Sequence, residues 1–248
     1  MSNNYITCQF AGRLANCIFQ TAALIAYSKK HGIPYYIPAN YPHKEIYRFK
    51  NLTTREYAKL PRWEQPSFRH HEIPKFNQPT ELIGYFQSWK YMHEYRQDII
   101  DTFEFKQTDE SGFVALHVRR GDYLKYPTRF PVVTMDYISK AVEFFRGHGY
   151  TSFMVFSDDI KWCMENFKDI YGAFMYVEPG DPVEDLMRMS CCDHQIIANS
   201  SYSYIAAYFN RNPGKIVVAP NAEKNWFGTD GKLPVQDLLP SGWHQIEY

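Results

Sequence analysis

The sequence predicts an α/β protein with a mainly parallel sheet in each of two halves, and three observations predict it. Short apolar runs of strand type recur through the C-terminal part of the chain. Segments with helical spacing, each about ten residues long, separate those runs, which is the signature of parallel strands joined by helices. Polar and charged side chains then collect where the strands end, at the sheet edge where open α/β sheets bind ligands. With 248 residues the chain is long enough for one large domain or two small ones, each with its own core.

The opening is a βαβ unit. Tyr5–Phe10 alternates, with Ile6, Cys8 and Phe10 on one side, and reads as a first strand. Gly12-Arg13 follows, and Leu14, Ile18, Phe19, Ala22 and Ile25 then recur at helical spacing through Ser28. Lys29, Lys30 and His31 fill the last turn, Gly32 supplies the stop, and Ile33–Ile37 is the next strand. Free backbone N–H groups and Arg13 stand at the helix start, without the G-x-G-x-x-G dinucleotide fingerprint. The stretch from Pro38 to Pro79 is broken by prolines at 38, 42, 61, 66, 74 and 79 and reads as a long irregular and mobile surface. His70 and His71 within it have no carboxylate or cysteine placed to complete a metal site. Glu81–Phe86 reads as a strand and Tyr91–Phe103 as a helix with Tyr95, Ile99 and Ile100 on one side. The short polar stretch Lys106–Gly112 separates the halves, giving domains 1–108 and 109–248.

From Phe113 the alternation becomes regular. Strand Phe113–Val118 is followed by helix Thr134–Arg146, and strand Ser152–Ser157 by helix Ile160–Phe167. Strand Ala173–Val177 leads to helix Pro182–Cys192, with Asp181 as N-cap, Pro182 at the first position and Glu184 completing a capping box. Strand His194–Ala198 leads to helix Ser201–Asn210, and strand Lys215–Ala219 closes the series.

The strand ends carry residues with no work in a core. The first ends in His117, Arg119, Arg120 and Asp122, the second in Ser157, Asp158 and Asp159, and the fourth in Asn199, Ser200 and Ser201. Parallel pairing brings these ends to one rim. Two adjacent arginines suit a ligand with several negative oxygens, because a guanidinium pairs bidentately with phosphate. Serine hydroxyls and helix N–H groups would support such a group, and a carboxylate would pair with donor edges of a base, so the set could hold a nucleotide diphosphate. The plainer readings are an ion pair between an arginine and Asp122, and helix capping by Asp158 or Asp159 and by Ser200 or Ser201.

Composition narrows the classes further. Lys+Arg and Asp+Glu are both 27, which disfavours a nucleic-acid partner and makes any basic site local. Aromatic residues reach 17%, which suits both saccharide stacking and core filling. The five cysteines, Cys8, Cys17, Cys163, Cys191 and Cys192, show no C-x-x-C spacing, so they read as reduced core residues of a cytoplasmic protein rather than zinc ligands or a disulfide framework. Met1–Thr7 has no charged-then-apolar signal pattern, and no apolar run is long enough to cross a membrane. Walker A and G-x-S-x-G sequences are both absent, against a P-loop enzyme and an α/β-hydrolase.

His117-Val-Arg-Arg-Gly-Asp-Tyr123 resembles the His-x-Arg-Arg-x-Asp motif of fucosyltransferase families that use GDP-fucose, and most nearly glycosyltransferase family 11, the α-1,2-fucosyltransferases. Gly12-Arg-Leu-Ala-Asn16 with Phe19-Gln20 resembles that family's opening segment. Phe156-Ser-Asp-Asp159 with Trp162, Asn199-Ser-Ser-Tyr-Ser203 and Val218-Ala-Pro220 with Trp226-Phe227 resemble its later blocks, in family order. The resemblance implies a GT-B architecture, with GDP-fucose on the C-terminal half and the acceptor sugar on the N-terminal side. It implies inverting transfer of L-fucose to O2 of a terminal galactose, without a metal or any cofactor beyond the donor substrate. A glycolipid acceptor would bring such a protein to a membrane surface peripherally. Arg119 would neutralise the leaving diphosphate. His117, Arg120, Asp122, Asp158, Asp159, Ser200 and Ser201 would contact the donor, together with Gly12, Arg13 and Asn16. Ala15 departs from the family's usual glycine, and Lys125-Tyr-Pro-Thr128 offers no glutamate where the related α-1,6 enzymes place one, so the base is unassigned. The rivals are a transferase using another GDP-sugar and a silent sugar-nucleotide or carbohydrate-binding relative, which a panel of donors and acceptors would separate.

Overall fold

The computed structural model describes residues 4–56, 59–230 and 232–248, so the expectation drawn from Met1–Thr7 lies partly outside it. The chain forms two compact units, Met1–Phe105 with Pro234–Leu239, and Lys106–Leu233 with Pro240–Tyr248. Both are α/β with parallel sheets. No described helix is long and apolar enough to cross a membrane.

The first unit contains β1 (Ile6–Cys8), α1 (Leu14–His31), β2 (Ile37–Pro38), β3 (Thr54–Arg55), β4 (Arg62–Glu64), β5 (Thr80–Ile83) and α2 (Arg96–Phe103). Its sheet runs β1-β5-β4, all parallel, with Ile6 opposite Thr80 and Arg62 opposite Glu81. A parallel bridge from Ile6 to Tyr35 and a parallel β2–β3 pair extend the same direction. Helix α1 is buried almost all round from Leu14 to Tyr27, and Gly32 ends it in the left-handed conformation, φ 67°, with its N–H on the Ser28 carbonyl at 2.8 Å.

Four expectations for this unit need correction. The strand expected at Ile33–Ile37 is reduced to an isolated bridge at Tyr35 and the two-residue β2. The strand expected at Glu81–Phe86 stops at Ile83, because Phe86 adopts φ 52°, outside the strand region. The helix expected at Tyr91–Phe103 is split: Ser88 caps a separate 3₁₀ turn, Trp89–Tyr91, and α2 starts only at Arg96 after Tyr95 leaves helical geometry. The Pro38–Pro79 stretch holds β3, β4 and a 3₁₀ turn at Lys44–Arg48, and His70 and His71 are tied down. The His70 N–H donates to Asp237 Oδ2 at 2.9 Å, and the His71 ring nitrogen pairs with Ser67 Oγ at 2.8 Å.

The second unit follows the expected alternation. It contains β6 (Glu110–Val118), α3 (Met135–Gly147), β7 (Ser152–Ser157), α4 (Ile160–Asn166), β8 (Ala173–Tyr176), α5 (Pro182–Cys191), β9 (Cys192–Ile196), α6 (Ser201–Phe209), β10 (Val217–Pro220), α7 (Ala222–Asn225) and β11 (His244–Ile246). The six strands run β11-β10-β9-β6-β7-β8, all parallel. The central β6 contributes Val114, Leu116 and Val118 to a core shared with Tyr137, Val142 and Phe145 of α3. It starts three residues before the expected Phe113, with a register break between Glu110 and Val114. The series does not close at β10: the three-residue β11 adds an edge strand. Because β6 lies between β7 and β9, the carboxyl ends of these three strands emerge side by side.

Candidate functional site

The site is built where β6 ends. Val118 pairs with Ser157 in register, so Arg119 and Arg120 leave the sheet beside Asp158 and Asp159. Arg119 is ion-paired twice, through Nη2 to Asp122 and through Nη1 to Asp158 Oδ2 at 2.9 Å. The other oxygen of Asp158 accepts the Arg120 backbone N–H at 2.8 Å, which fixes the turn as well as the guanidinium. Arg120 Nε pairs with Asp159 Oδ2 at 3.0 Å, and its guanidinium lies over the Trp162 ring at 3.9 Å. The ion pair to Asp122 suspected in the sequence therefore exists and is made by Arg119, while Arg120 pairs with Asp159.

Capping explains part of the set, as the plainer reading anticipated. Asp159 caps α4 by accepting the Trp162 N–H at 3.3 Å, and Ser200 caps α6 by accepting the Tyr202 N–H at 3.3 Å. Ser201 is the first residue of α6 and is half-buried. Among the described residues Asp158 caps no helix, and its carboxylate is bonded to the two arginines.

His117 and Asn199 carry the remaining chemistry. His117 is 5% exposed, and burial, followed by the nearby Arg119 charge, pushes its pKa down to about 3. The ring is therefore neutral at physiological pH, and its Nδ1 is buried without a hydrogen-bond partner. Asn199, 2% exposed, uses its amide N–H groups on the Pro131 and Trp226 carbonyls at 2.8 and 3.1 Å, while its Oδ1 is likewise buried and unpartnered. Two unsatisfied polar atoms at the ends of adjacent strands are what a polar ligand would satisfy. The Tyr123 hydroxyl donates to the Asn199 carbonyl at 3.2 Å, and the Arg119 guanidinium lies 5.6 Å from that ring's centroid. Tyr123 and Gly121 were not singled out in the sequence as site residues, and only their adjacency to the two arginines pointed to them.

Gly12, Arg13 and Asn16 lie in the first unit, at the start of α1. Gly12 adopts φ 82°, and a Cβ there would fall 1.9 Å from Asn16 Nδ2, so no other residue fits this turn. Asn16 Oδ1 accepts from Gln87 Nε2 at 2.7 Å, and the Tyr41 hydroxyl donates to the Gly12 carbonyl at 2.7 Å. Arg13 N-caps the helix in extended backbone and is exposed. Among the described residues no group of three or more His, Cys, Asp or Glu side chains is placed to hold a metal ion, and the five cysteines are unpaired.

Comparison with known proteins follows the same lines. The chain is 28% identical to galactoside alpha-(1,2)-fucosyltransferase 2 of Gorilla gorilla gorilla over 234 residues, 79% of this chain and 66% of the relative. It is 31% identical to the O-antigen biosynthesis glycosyltransferase WbnK of Escherichia coli over 175 residues, 61% of this chain and 56% of the relative. It thus spans less than two thirds of the length of either relative. Among solved structures, the fucosyltransferase NodZ from Bradyrhizobium aligns with a TM-score of 0.49 at 10% identity, covering 82% of this chain and 92% of that one. Glycosyl transferase family 11 matches residues 2–247, and the chain belongs to that family.

Proposed function

We propose that the protein transfers L-fucose from GDP-fucose to O2 of a terminal galactose, with inversion at the anomeric carbon and without a metal ion. The observation that carries this reading is Arg119, fixed at the carboxyl edge of the six-stranded sheet by Asp122 and Asp158. A guanidinium has five N–H donors, and two carboxylate contacts leave the others for a ligand. The names of the relatives support fucose and galactose as the sugars. The block resemblance supports GDP as the carrier and a GT-B arrangement of donor and acceptor sides.

In the proposed reaction the galactose O2 attacks C1 of fucose on the face opposite the diphosphate. The C1–O bond to the β-phosphate breaks, its electron pair leaves with GDP, and the O2 proton is released. Negative charge grows on the departing phosphate oxygens, and a cation already held in place stabilises it without reorganising at the moment of reaction. Arg119 has that role here. The neutral His117 and the Asn199 amide oxygen, both with unpartnered atoms, would hydrogen-bond the donor, and the α6 N-terminus at Ser200 and Ser201 would receive phosphate. Arg120, paired with Asp159 and stacked on Trp162, would shape the same edge.

The experiment is GDP release from GDP-fucose, with and without lactose or N-acetyllactosamine, in EDTA. Lactose-stimulated release that chelation leaves intact is the expected result, with Arg119→Ala lowering turnover by about 10²–10³-fold. Release lost on chelation would remove the metal-free part. Arg119→Ala turning over like the wild type would remove the assigned role, and no release on any galactoside would remove the reaction.

A further inference from the structure

Tyr85 is the one large hydrophobic side chain of the first unit, among the described residues, that is exposed, at 42%. A scattered exposed ring needs no explanation in itself. This one is mounted on a backbone held from several sides. Gln65 Oε1 accepts the N–H groups of both Tyr85 and Phe86 at 3.1 Å, and Gln65 Nε2 donates to the Arg69 carbonyl at 2.9 Å. Gly84 just before it has no room for a Cβ, which would meet Gln65 Oε1 at 2.6 Å, and its carbonyl accepts from Gln20 Nε2 at 2.8 Å. The same Gln20 side chain accepts the Ala11 N–H at 3.2 Å, tying the segments after β1 and β5 together. Phe86 is held at φ 52°, a conformation that non-glycine residues rarely adopt, while its ring is fully buried. Local strain of this kind persists where the surrounding structure enforces it, and functional sites are where it concentrates.

The position on the sheet gives the ring its meaning. Strands β1, β4 and β5 are parallel, so the segments leaving their carboxyl ends share one edge. Phe68, beyond β4, stands edge-on to Tyr85 with centroids 6.4 Å apart, which fixes the orientation of the exposed ring. The Tyr41 hydroxyl donates to the Gly12 carbonyl after β1 at 2.7 Å, and Gln20 bridges the Ala11 N–H to the Gly84 carbonyl beside Tyr85. This edge therefore joins an open, braced aromatic ring to the polar start of α1 at Gly12, Arg13 and Asn16. A pyranose offers the matching chemistry: one face of C–H groups for the ring and hydroxyls around its rim for polar side chains.

We propose that Tyr85, braced by Phe68, is the stacking surface for a pyranose ring of the acceptor saccharide. The proposal rests on the fucosyl-transfer reading and adds the residue that receives the acceptor. The experiment compares Tyr85→Ala and Tyr85→Phe with the wild type by saturation-transfer NMR of lactose, acceptor KM and calorimetric GDP binding. In Tyr85→Ala the acceptor KM is expected to rise about tenfold and saturation transfer to lactose to disappear, with GDP affinity unchanged. Tyr85→Phe, which keeps the ring, should remain within about twofold of the wild type. An acceptor KM in Tyr85→Ala within about twofold of the wild type would overturn the proposal, as would a wild type that shows no saturation transfer to lactose. The two readings fail separately. Lactose contact that depends on Tyr85 without any fucosyl transfer leaves the platform and removes the activity, whereas normal transfer in Tyr85→Ala removes the platform alone.

Discussion

Gly121 stands between the two arginines and Asp122, and the space beside its Cα is filled by Asp158. A Cβ at this position would lie 2.4 Å from Asp158 Oδ2, the oxygen that pairs with Arg119. The Asp158 side chain is too short to yield without breaking a contact, since its other oxygen holds the Arg120 N–H at 2.8 Å. Gly121→Ala should therefore displace the carboxylate, free Arg119 from one of its two restraints and lower transfer by about 10²-fold, the usual cost of misplacing a catalytic group by about an ångström. Steady-state turnover of GDP-fucose, with a thermal melt to show that the fold survives, checks this. Wild-type activity would mean that Asp158 does not position Arg119. The need for glycine here, and the partner of each arginine, could not be read from the chain. Arg119 and Asp122 are near in sequence, so a pair within the motif could be foreseen. The pairs to Asp158 and Asp159 exist only because β6 and β7 lie in register, bringing together residues nearly forty apart.

At the scale of elements, the helices that announced themselves did so through caps and period together. Helix α5 has Pro182 at its first turn and Asp181 accepting the N–H groups of Val183 and Glu184 at 2.9 and 3.1 Å. Its neighbour α6 is joined to it by the Tyr202 hydroxyl, which donates to the Pro182 carbonyl at 2.6 Å. Asp181→Ala removes the side-chain acceptor of the Val183 and Glu184 N–H groups and should lower unfolding stability by about 1 kcal/mol without altering the donor site. A urea titration reads it as a lower midpoint at unchanged slope; an unchanged midpoint would show that water replaces the cap. Helix α1 was legible for the same reason, a long period ended by a clear signal, and strand β7 through its continuous apolar run. Strands β4 and β11 were not. Each has three residues, and β4 lies between Pro61 and Pro66 with no buried side chain, so pairing to a neighbour defines it rather than pattern. The break before α2 was hidden because the apolar spacing continues across it, and a serine that caps a single turn gives a weak signal in sequence.

At the scale of the molecule, the chain does not divide at one point: after the second unit is largely built, Pro234–Leu239 belongs to the first. Asp237, 7% exposed, anchors this return. Its Oδ2 accepts the His70 N–H at 2.9 Å, its carbonyl accepts the Ser88 hydroxyl at 2.8 Å, and Lys90 Nζ lies 3.9 Å from the carboxylate. A boundary read from composition treats each half as continuous, so a six-residue return that depends on partners at 70, 88 and 90 gives it no signal. Replacing Asp237 by Ala strands the His70 N–H in a partly buried place and removes the charge opposite Lys90. The expected cost is about 1–3 kcal/mol. Asp237→Asn keeps an acceptor for His70 while removing the charge, so most of the loss should be recovered if the hydrogen bond is what matters. Guanidinium unfolding followed by tryptophan fluorescence measures both, since Trp63 and Trp89 lie in the first unit. Equal loss in the two variants would assign the anchor to charge instead, and no loss in either would leave the Ser88 contact to the backbone as the element that holds the returning segment.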